Sequence, residues 1–184
     1  MGVIFLNGCT SSGKSSIAKS LQQTLAQPYL LTGIDDAFAM LPDRMHNHPD
    51  GFFFDRDQAG LVRLNFGAFG LATLNAHQAA TAALAKSGVN LILDEVLLSK
   101  ALLEQWHEVF EGVAVFWVGV HCDLNELERR EIARGDRVHG QARGQFDWVH
   151  RHVRYDVEVD TTATPSATCA AQIVAAIEPR NTAQ

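Results

Sequence analysis

The chain has little of what builds an extracellular or membrane protein. Its three cysteines, Cys9, Cys122 and Cys169, are odd in number, widely spaced and without a C-x-x-C pair. That pattern excludes a disulfide framework and a zinc site of recognisable spacing. No apolar run approaches the ~18 residues that cross a bilayer. The opening Met1-Gly2-Val3-Ile4-Phe5-Leu6 lacks the basic segment that starts a signal peptide. The expectation is a protein of the reducing cytoplasm with no membrane partner. Positive charge is also scarce: 15 Lys and Arg against 21 Asp and Glu leave a formal net charge of −6. This balance argues against nucleic acid as a partner, though it leaves room for a local basic pocket. No internal repeat or linker divides the 184 residues, of which 47% are hydrophobic and 20% charged, so one globular domain is expected. Nothing in the pattern specifies an oligomeric state.

What is present begins at residue 8. Gly8-Cys9-Thr10-Ser11-Ser12-Gly13-Lys14-Ser15 fits G-x-x-x-x-G-K-[ST], a loop whose backbone N–H groups wrap nucleotide phosphates. Val3 to Leu6 before it suits a buried strand, and Ile17, Leu21 and Leu25 after it recur at helical spacing. Gly8 and Gly13 allow close backbone approach, Lys14 reaches the β and γ phosphates, and the Ser15 hydroxyl suits Mg²⁺. The helix that begins there adds a dipole favourable to anions, and Ser16 lies in its first turn. ATP or GTP is the predicted ligand, held by residues 8 to 16. A plain glycine turn between strand and helix is the alternative.

Strand-type and helix-type patterns alternate from end to end, predicting a parallel sheet covered on both faces. The strands are expected at 3–6, 29–34, 89–93, 113–120 and 155–159, with a short helix at about 37–41 and longer ones at 67–87 and 102–110. Residues 43–66 show no sustained period and read as a long irregular segment, usually functional or mobile. Asp123 with Glu126 resembles a capping box for the next helix. Pro179 is expected to end the last helix and leave a disordered tail over 179–184.

Three further features carry chemistry. Asp35 and Asp36 fall where the second strand should end, the side of an open parallel sheet on which ligands bind. One could accept the proton of an attacking hydroxyl, while the other caps the following helix; Asp35 is the candidate base. Asp94 closes the run Leu91-Ile92-Leu93 and suits support of Mg²⁺, with Glu95 left to face substrate. Arg129, Arg130, Arg134, Arg137 and Arg143 crowd one segment, broken by Gly135 and Gly140. It reads either as a solvated helix or as a lid over about 134–143 that brings Arg134 and Arg137 to a transferring phosphoryl group. His46, His48, His150 and His152 lack further ligands at a recognisable spacing, and Phe52-Phe53-Phe54, Phe66 and Phe69 are either core or an aromatic wall.

Several blocks resemble the chloramphenicol phosphotransferase family: Ile4-Phe5-Leu6-Asn7-Gly8, Thr32-Gly33-Ile34-Asp35, Phe116 to Asp123, Ala133-Arg134-Gly135-Asp136-Arg137-Val138 and Tyr155 to Thr162. They span most of the chain in the family's order. The resemblance implies a three-layer α/β P-loop kinase fold with a five-stranded parallel sheet in the order 2-3-1-4-5. It also implies ATP with Mg²⁺, and transfer of the γ-phosphate to the primary (3-) hydroxyl of chloramphenicol. Asp35 is then the general base, and Arg134 and Arg137 belong to the lid. Residues 36–66 match no block, and Asp36 stands where the family pattern has Ser. Two other readings stay open: a kinase of another metabolite hydroxyl, and a nucleotide-binding regulator without an acceptor.

Overall fold

A computed structural model describes residues 2–135 and 138–181. Strand β1 (Val3–Asn7) is buried along its whole length. Side chains alternate across a strand, so both faces of β1 need cover. Ile4 and Leu6 enter one apolar layer with Ile17, Leu21, Ile173 and Ile177. Val3 and Phe5 enter the other with Leu93, Leu103, Trp106 and Phe110. The first layer is closed by α1 (Lys14–Thr24) and α7 (Ser166–Asn181), the second by α3 (Ala68–Lys86) and α4 (Lys100–Val109). The result is helix, sheet, helix.

The sheet adds β2 (Leu30–Gly33), β5 (Leu91–Glu95), β6 (Val115–His121) and β7 (Val157–Asp160) to β1. Its order is β2-β5-β1-β6-β7, and every pairing is parallel. Counted along these five strands, that is the expected 2-3-1-4-5. Register brings Leu6 opposite Asp94 and Gly33 opposite the same residue, so β1, β5 and β2 end side by side.

The expectation of an irregular stretch over 43–66 is corrected. Phe52–Arg56 (β3) and Val62–Phe66 (β4) form an antiparallel hairpin, Phe52 opposite Phe66. Val62-Arg63-Leu64-Asn65-Phe66 does alternate with period two, a signal hidden by the unbroken Phe52-Phe53-Phe54 run. The connecting loop is set by Asp57, whose Oδ1 accepts the N–H groups of Ala59 (3.0 Å) and Leu61 (2.9 Å). The short helix also starts earlier than expected: α2 is Ile34–Ala39, so Asp35 and Asp36 occupy its first turn. Carboxylates are favoured there by the helix dipole, and Asp36 caps it by accepting the Gly33 N–H at 2.9 Å.

Two further expectations shift. Asp123 caps α5 (Leu124–Arg134) through the Asn125 N–H, but Glu126 closes no capping box; it turns to Arg129 and Arg130 instead. Charged partners outcompete a single backbone N–H. Pro179 does not end α7, which continues to Asn181. Proline's φ is helix-compatible, and near a terminus the lost hydrogen bond is one of few. The rest of the expected disordered tail, 182–184, lies outside the described residues.

Gly33 marks how tightly β2 and β5 meet: a Cβ there would stand 2.1 Å from the Asp94 carbonyl oxygen. Gly33→Ala should therefore cost about 1–3 kcal/mol by overpacking. Urea unfolding of the two proteins checks this, and equal midpoints would contradict it.

Candidate active site

The carboxyl ends of the strands open into one cavity of about 1220 Å³. Thr10, Ser11, Gly13, Lys14, Ser15 and Ser16 line one end of it, Asp35, Asp94 and Glu95 its middle, and Phe38, Phe52, Phe54 and Phe66 the other. Of the predicted loop residues, Gly8, Cys9 and Ser12 lie behind the lining. Cys9 is packed with Cys122, Leu127, Ala142 and Val149, and burial pushes its thiol up to about 12. It serves as a small core residue.

The loop's geometry follows from its neighbours. Gly8 passes so close to β6 that a Cβ would lie 2.4 Å from the Val120 carbonyl oxygen. Gly13 has φ +90°, a left-handed conformation that favours glycine. Ser11 takes a positive φ of 62° without that freedom. Lys14 is 6% exposed; its Nζ donates to the carbonyls of Gly8 and Cys9, both at 2.9 Å, and lies 3.6 Å from Asp94. The Ser15 hydroxyl donates to Asp94 Oδ2 at 2.5 Å. The hydroxyls of Ser11 and Ser12 are buried without a hydrogen-bond partner. Orphaned polar atoms, a buried ammonium and a hydroxyl–carboxylate pair are a donor set that fits a polyphosphate and its cation.

Behind the loop, Asn7 is fully buried and fully used. Its Nδ2 donates to the Val149 carbonyl and to the Tyr155 hydroxyl, both at 2.7 Å, and its Oδ1 accepts the Leu97 N–H at 2.8 Å. The Tyr155 hydroxyl also meets His150 Nδ1 at 2.7 Å, and the His150 ring stacks on His121 at 4.0 Å. His46 lines the cavity against the Phe52 ring, whereas His150 lies outside the lining in the Tyr155 network. Among the described residues no group of three or more His, Cys, Asp or Glu could hold a metal ion.

The arginines divide. Arg129 pairs with Glu126, and Arg143 with Glu128, both away from the cavity lining. Arg134 lines the cavity at the end of α5, which Gly135 terminates with φ 70°. Arg137 lies outside the described residues. The cavity gains an arginine that sequence reasoning did not single out. Arg130 donates to the Thr161 carbonyl at 2.6 Å and to Glu126 at 2.7 Å, and a Cβ on Gly13 would lie 3.8 Å from its Nη1. Thr161 in turn donates its hydroxyl to the Ser12 carbonyl at 2.8 Å. Position in a dense arginine run could not distinguish Arg130 from its neighbours; its contacts across the chain do.

Among the apolar lining residues, Phe38 stacks on Phe52 with centroids 4.4 Å apart and faces Phe66 at 5.9 Å. These phenylalanines are an aromatic wall. Phe69 is exposed and lies outside it. Glu95 is 3% exposed; burial, then the neighbouring Asp94, pushes its carboxyl up to about 8. His77, hydrogen-bonded to Thr32 at 2.9 Å, is held by burial below its usual range.

Comparison with known proteins decides the family. The model of the chloramphenicol phosphotransferase-like proteins matches residues 1–178. The chain belongs to that family. A Mycobacterium tuberculosis protein named as an O-phosphotransferase, found in two strains, is 34% identical over 171 residues, 89% of this chain and 76% of the relative. Among solved structures, the APS kinase of Mycobacterium tuberculosis in complex with AMPPNP and APS superposes with TM-score 0.66 at 16% identity, covering 96% of this chain and 97% of that one. A gluconokinase from Sinorhizobium meliloti superposes with TM-score 0.60 at 17% identity, covering 97% and 92%. These likenesses establish the P-loop kinase fold. Membership and fold together support a phosphotransferase that acts on a small-molecule hydroxyl. Among the described residues no helix is long and apolar enough to cross a membrane.

The buried network has a pH signature. Burial, then His121 and Lys14, push His150 from 6.5 down to about 4. The unfolded chain takes up this proton as pH falls through 6.5, and the folded chain resists until about 4. Stability is thus fullest above that window and drains away as pH falls across it. Urea unfolding between pH 7 and 4 should show this slope, and His150→Gln should flatten it. An unchanged slope in the variant would assign the effect elsewhere.

Proposed function

We propose that this family member moves the γ-phosphate of ATP onto the primary hydroxyl of chloramphenicol or a closely related compound, as a one-domain kinase. The observation that carries the reading is that Asp35 and the phosphate loop line the same cavity. Asp35 accepts the proton of the acceptor hydroxyl as its oxygen bonds to the γ-phosphorus and ADP departs. Residues 8–16 form the nucleotide cradle, and Lys14 neutralises the transferring group. Arg134 and Arg137 add positive charge where negative charge develops. Ser15 and Asp94 are the residues that would hold Mg²⁺. When bound, the ion would supply charge neutralisation to the transferring phosphate.

The aromatic wall of Phe38, Phe52 and Phe66 supports an acceptor with an aromatic ring, which offset stacking favours. A second reading, a kinase of another metabolite hydroxyl, draws on one observation. The hairpin that supplies much of this wall lies within residues 36–66, outside the sequence blocks that carry the resemblance although inside the span of the family model. Substrate choice rests on that hairpin.

The decisive assay follows phosphate transfer to chloramphenicol for the natural protein, Lys14→Ala and Asp35→Asn. The natural protein should yield the 3-O-phosphate, and Lys14→Ala should yield none while melting like the parent. Asp35→Asn should lose roughly 10²–10⁴ in rate, the range expected for a general base. Absence of product from the natural protein, with ADP released in the presence of another alcohol, would transfer the reading to that alcohol. Equal rates with and without the Asp35 carboxylate would remove it as the base.

A further inference from the structure

Helix α6 (Gln141–Phe146) is one and a half turns long, yet it is fastened in three directions. From α5, the buried Glu131 carboxylate accepts the Gly140 N–H at 2.6 Å and the Ala142 N–H at 2.9 Å. From β4, Arg63 donates Nη1 to the Gly144 carbonyl at 2.7 Å, its other nitrogens locked on Asp57. Gly144 presses so close to that strand that a Cβ would meet the Val62 carbonyl oxygen at 2.1 Å. The third attachment is to the phosphate loop: Gln145 Oε1 accepts the Thr10 N–H at 2.7 Å, both residues buried.

That last bond has a specific consequence. Thr10 precedes Ser11, the residue at φ 62°, in a segment between β1 and α1 whose own backbone supplies one turn bond, from the Ser12 N–H to the Cys9 carbonyl at 3.2 Å, and none for the Thr10 N–H. A buried amide there needs an acceptor, and Gln145 supplies one from 135 residues away in sequence. Phosphate-binding amides act by being aimed before the ligand arrives, so whatever fixes the loop's peptides sets its affinity. We infer that Gln145 is a positioning residue for the nucleotide site, and that α6 is a strut joining the phosphate loop to the acceptor-side hairpin. The inference rests on the nucleotide-binding reading above. It adds a link between the two ends of the cavity: displacement of β4 is carried through Gly144 to Gln145, one residue away, and so to Thr10.

The test separates the acceptor atom from the volume it occupies. Gln145→Leu removes the oxygen at similar size, whereas Gln145→Glu keeps an acceptor. Binding of a non-hydrolysable ATP analogue with Mg²⁺ is measured calorimetrically on the full chain, beside thermal melting and hydrogen exchange at the Thr10 amide. Gln145→Leu should weaken binding about 2- to 10-fold, the worth of one net hydrogen bond, and speed exchange at Thr10. Gln145→Glu should recover most of both. Arg63→Ala should weaken binding in the same direction and add little in the Gln145→Leu background, as coupled residues do.

Unchanged affinity and unchanged Thr10 exchange in Gln145→Leu would overturn the positioning role, as would a glutamate variant no better than leucine at equal melting temperature. Full additivity with Arg63→Ala, or no effect of that variant alone, would overturn the strut. If the leucine variant does not fold, Gln145→Met, which also lacks the oxygen at similar size, takes its place in both comparisons. A natural protein that binds no nucleotide overturns the nucleotide reading and this inference together. Binding by the natural protein with equal binding by every variant overturns this inference alone.

Discussion

Strand β1 has to hide both of its faces, and the rest of the molecule is arranged around that requirement. Val3 and Phe5 demand one apolar layer, Ile4 and Leu6 another, so the strand belongs in the middle of a parallel sheet. Parallel strands end on the same side. Once β2, β5 and β6 flank or follow β1 in register, Asn7, Asp94, Glu95 and Gly33 are delivered to one rim. The phosphate loop, the Asp94 carboxylate and the first turn of α2 meet there because their strands have nowhere else to stop. Chemistry at this rim is a by-product of burial in the sheet below it.

The rim is stiffened by polar groups that the core cannot leave unpaired. Asn7 binds three separate segments through both ends of its amide, and Tyr155 extends that network to His150. Arg130 and Thr161 hold the loop from the β7 side, and Gln145 holds it from α6. Low local dielectric makes each bond strong when made and costly when missing. The phosphate loop is therefore over-determined on its buried side.

The aromatic side of the cavity is built differently. The hairpin of β3 and β4 pairs with no strand of the main sheet, and its phenylalanines meet Phe38 from α2 to form an aromatic wall. The hairpin touches the phosphate loop indirectly, through Arg63 on the Gly144 carbonyl and Gln145 on the Thr10 amide. The frame as a whole is shared, at 16–17% identity, with solved structures of an APS kinase and a gluconokinase.

Local pattern was enough to read the phosphate loop, the five sheet strands, the long helices and the pairing of Asp35 with Asp36, because glycine spacing and apolar periodicity are properties of neighbouring residues. The family blocks supplied the strand order. The hairpin escaped because three consecutive phenylalanines obscure a period-two pattern, and its loop is set by Asp57 rather than by a recognisable turn pair. Residues 134 to 143 read as a lid from glycine and arginine content alone. Only the fold revealed that Gly140 and Ala142 are anchored to Glu131 and that Arg143 is spent on Glu128. Which arginine reaches the loop, which glutamine fixes Thr10 and which aromatics form the wall depend on contacts spanning from 14 to well over 100 residues of chain. By itself the sequence determined the nucleotide end, whose residues are adjacent along the chain. Tertiary structure decided the aromatic wall and the supports beneath the loop, because those are defined by surfaces that exist only after the sheet has closed.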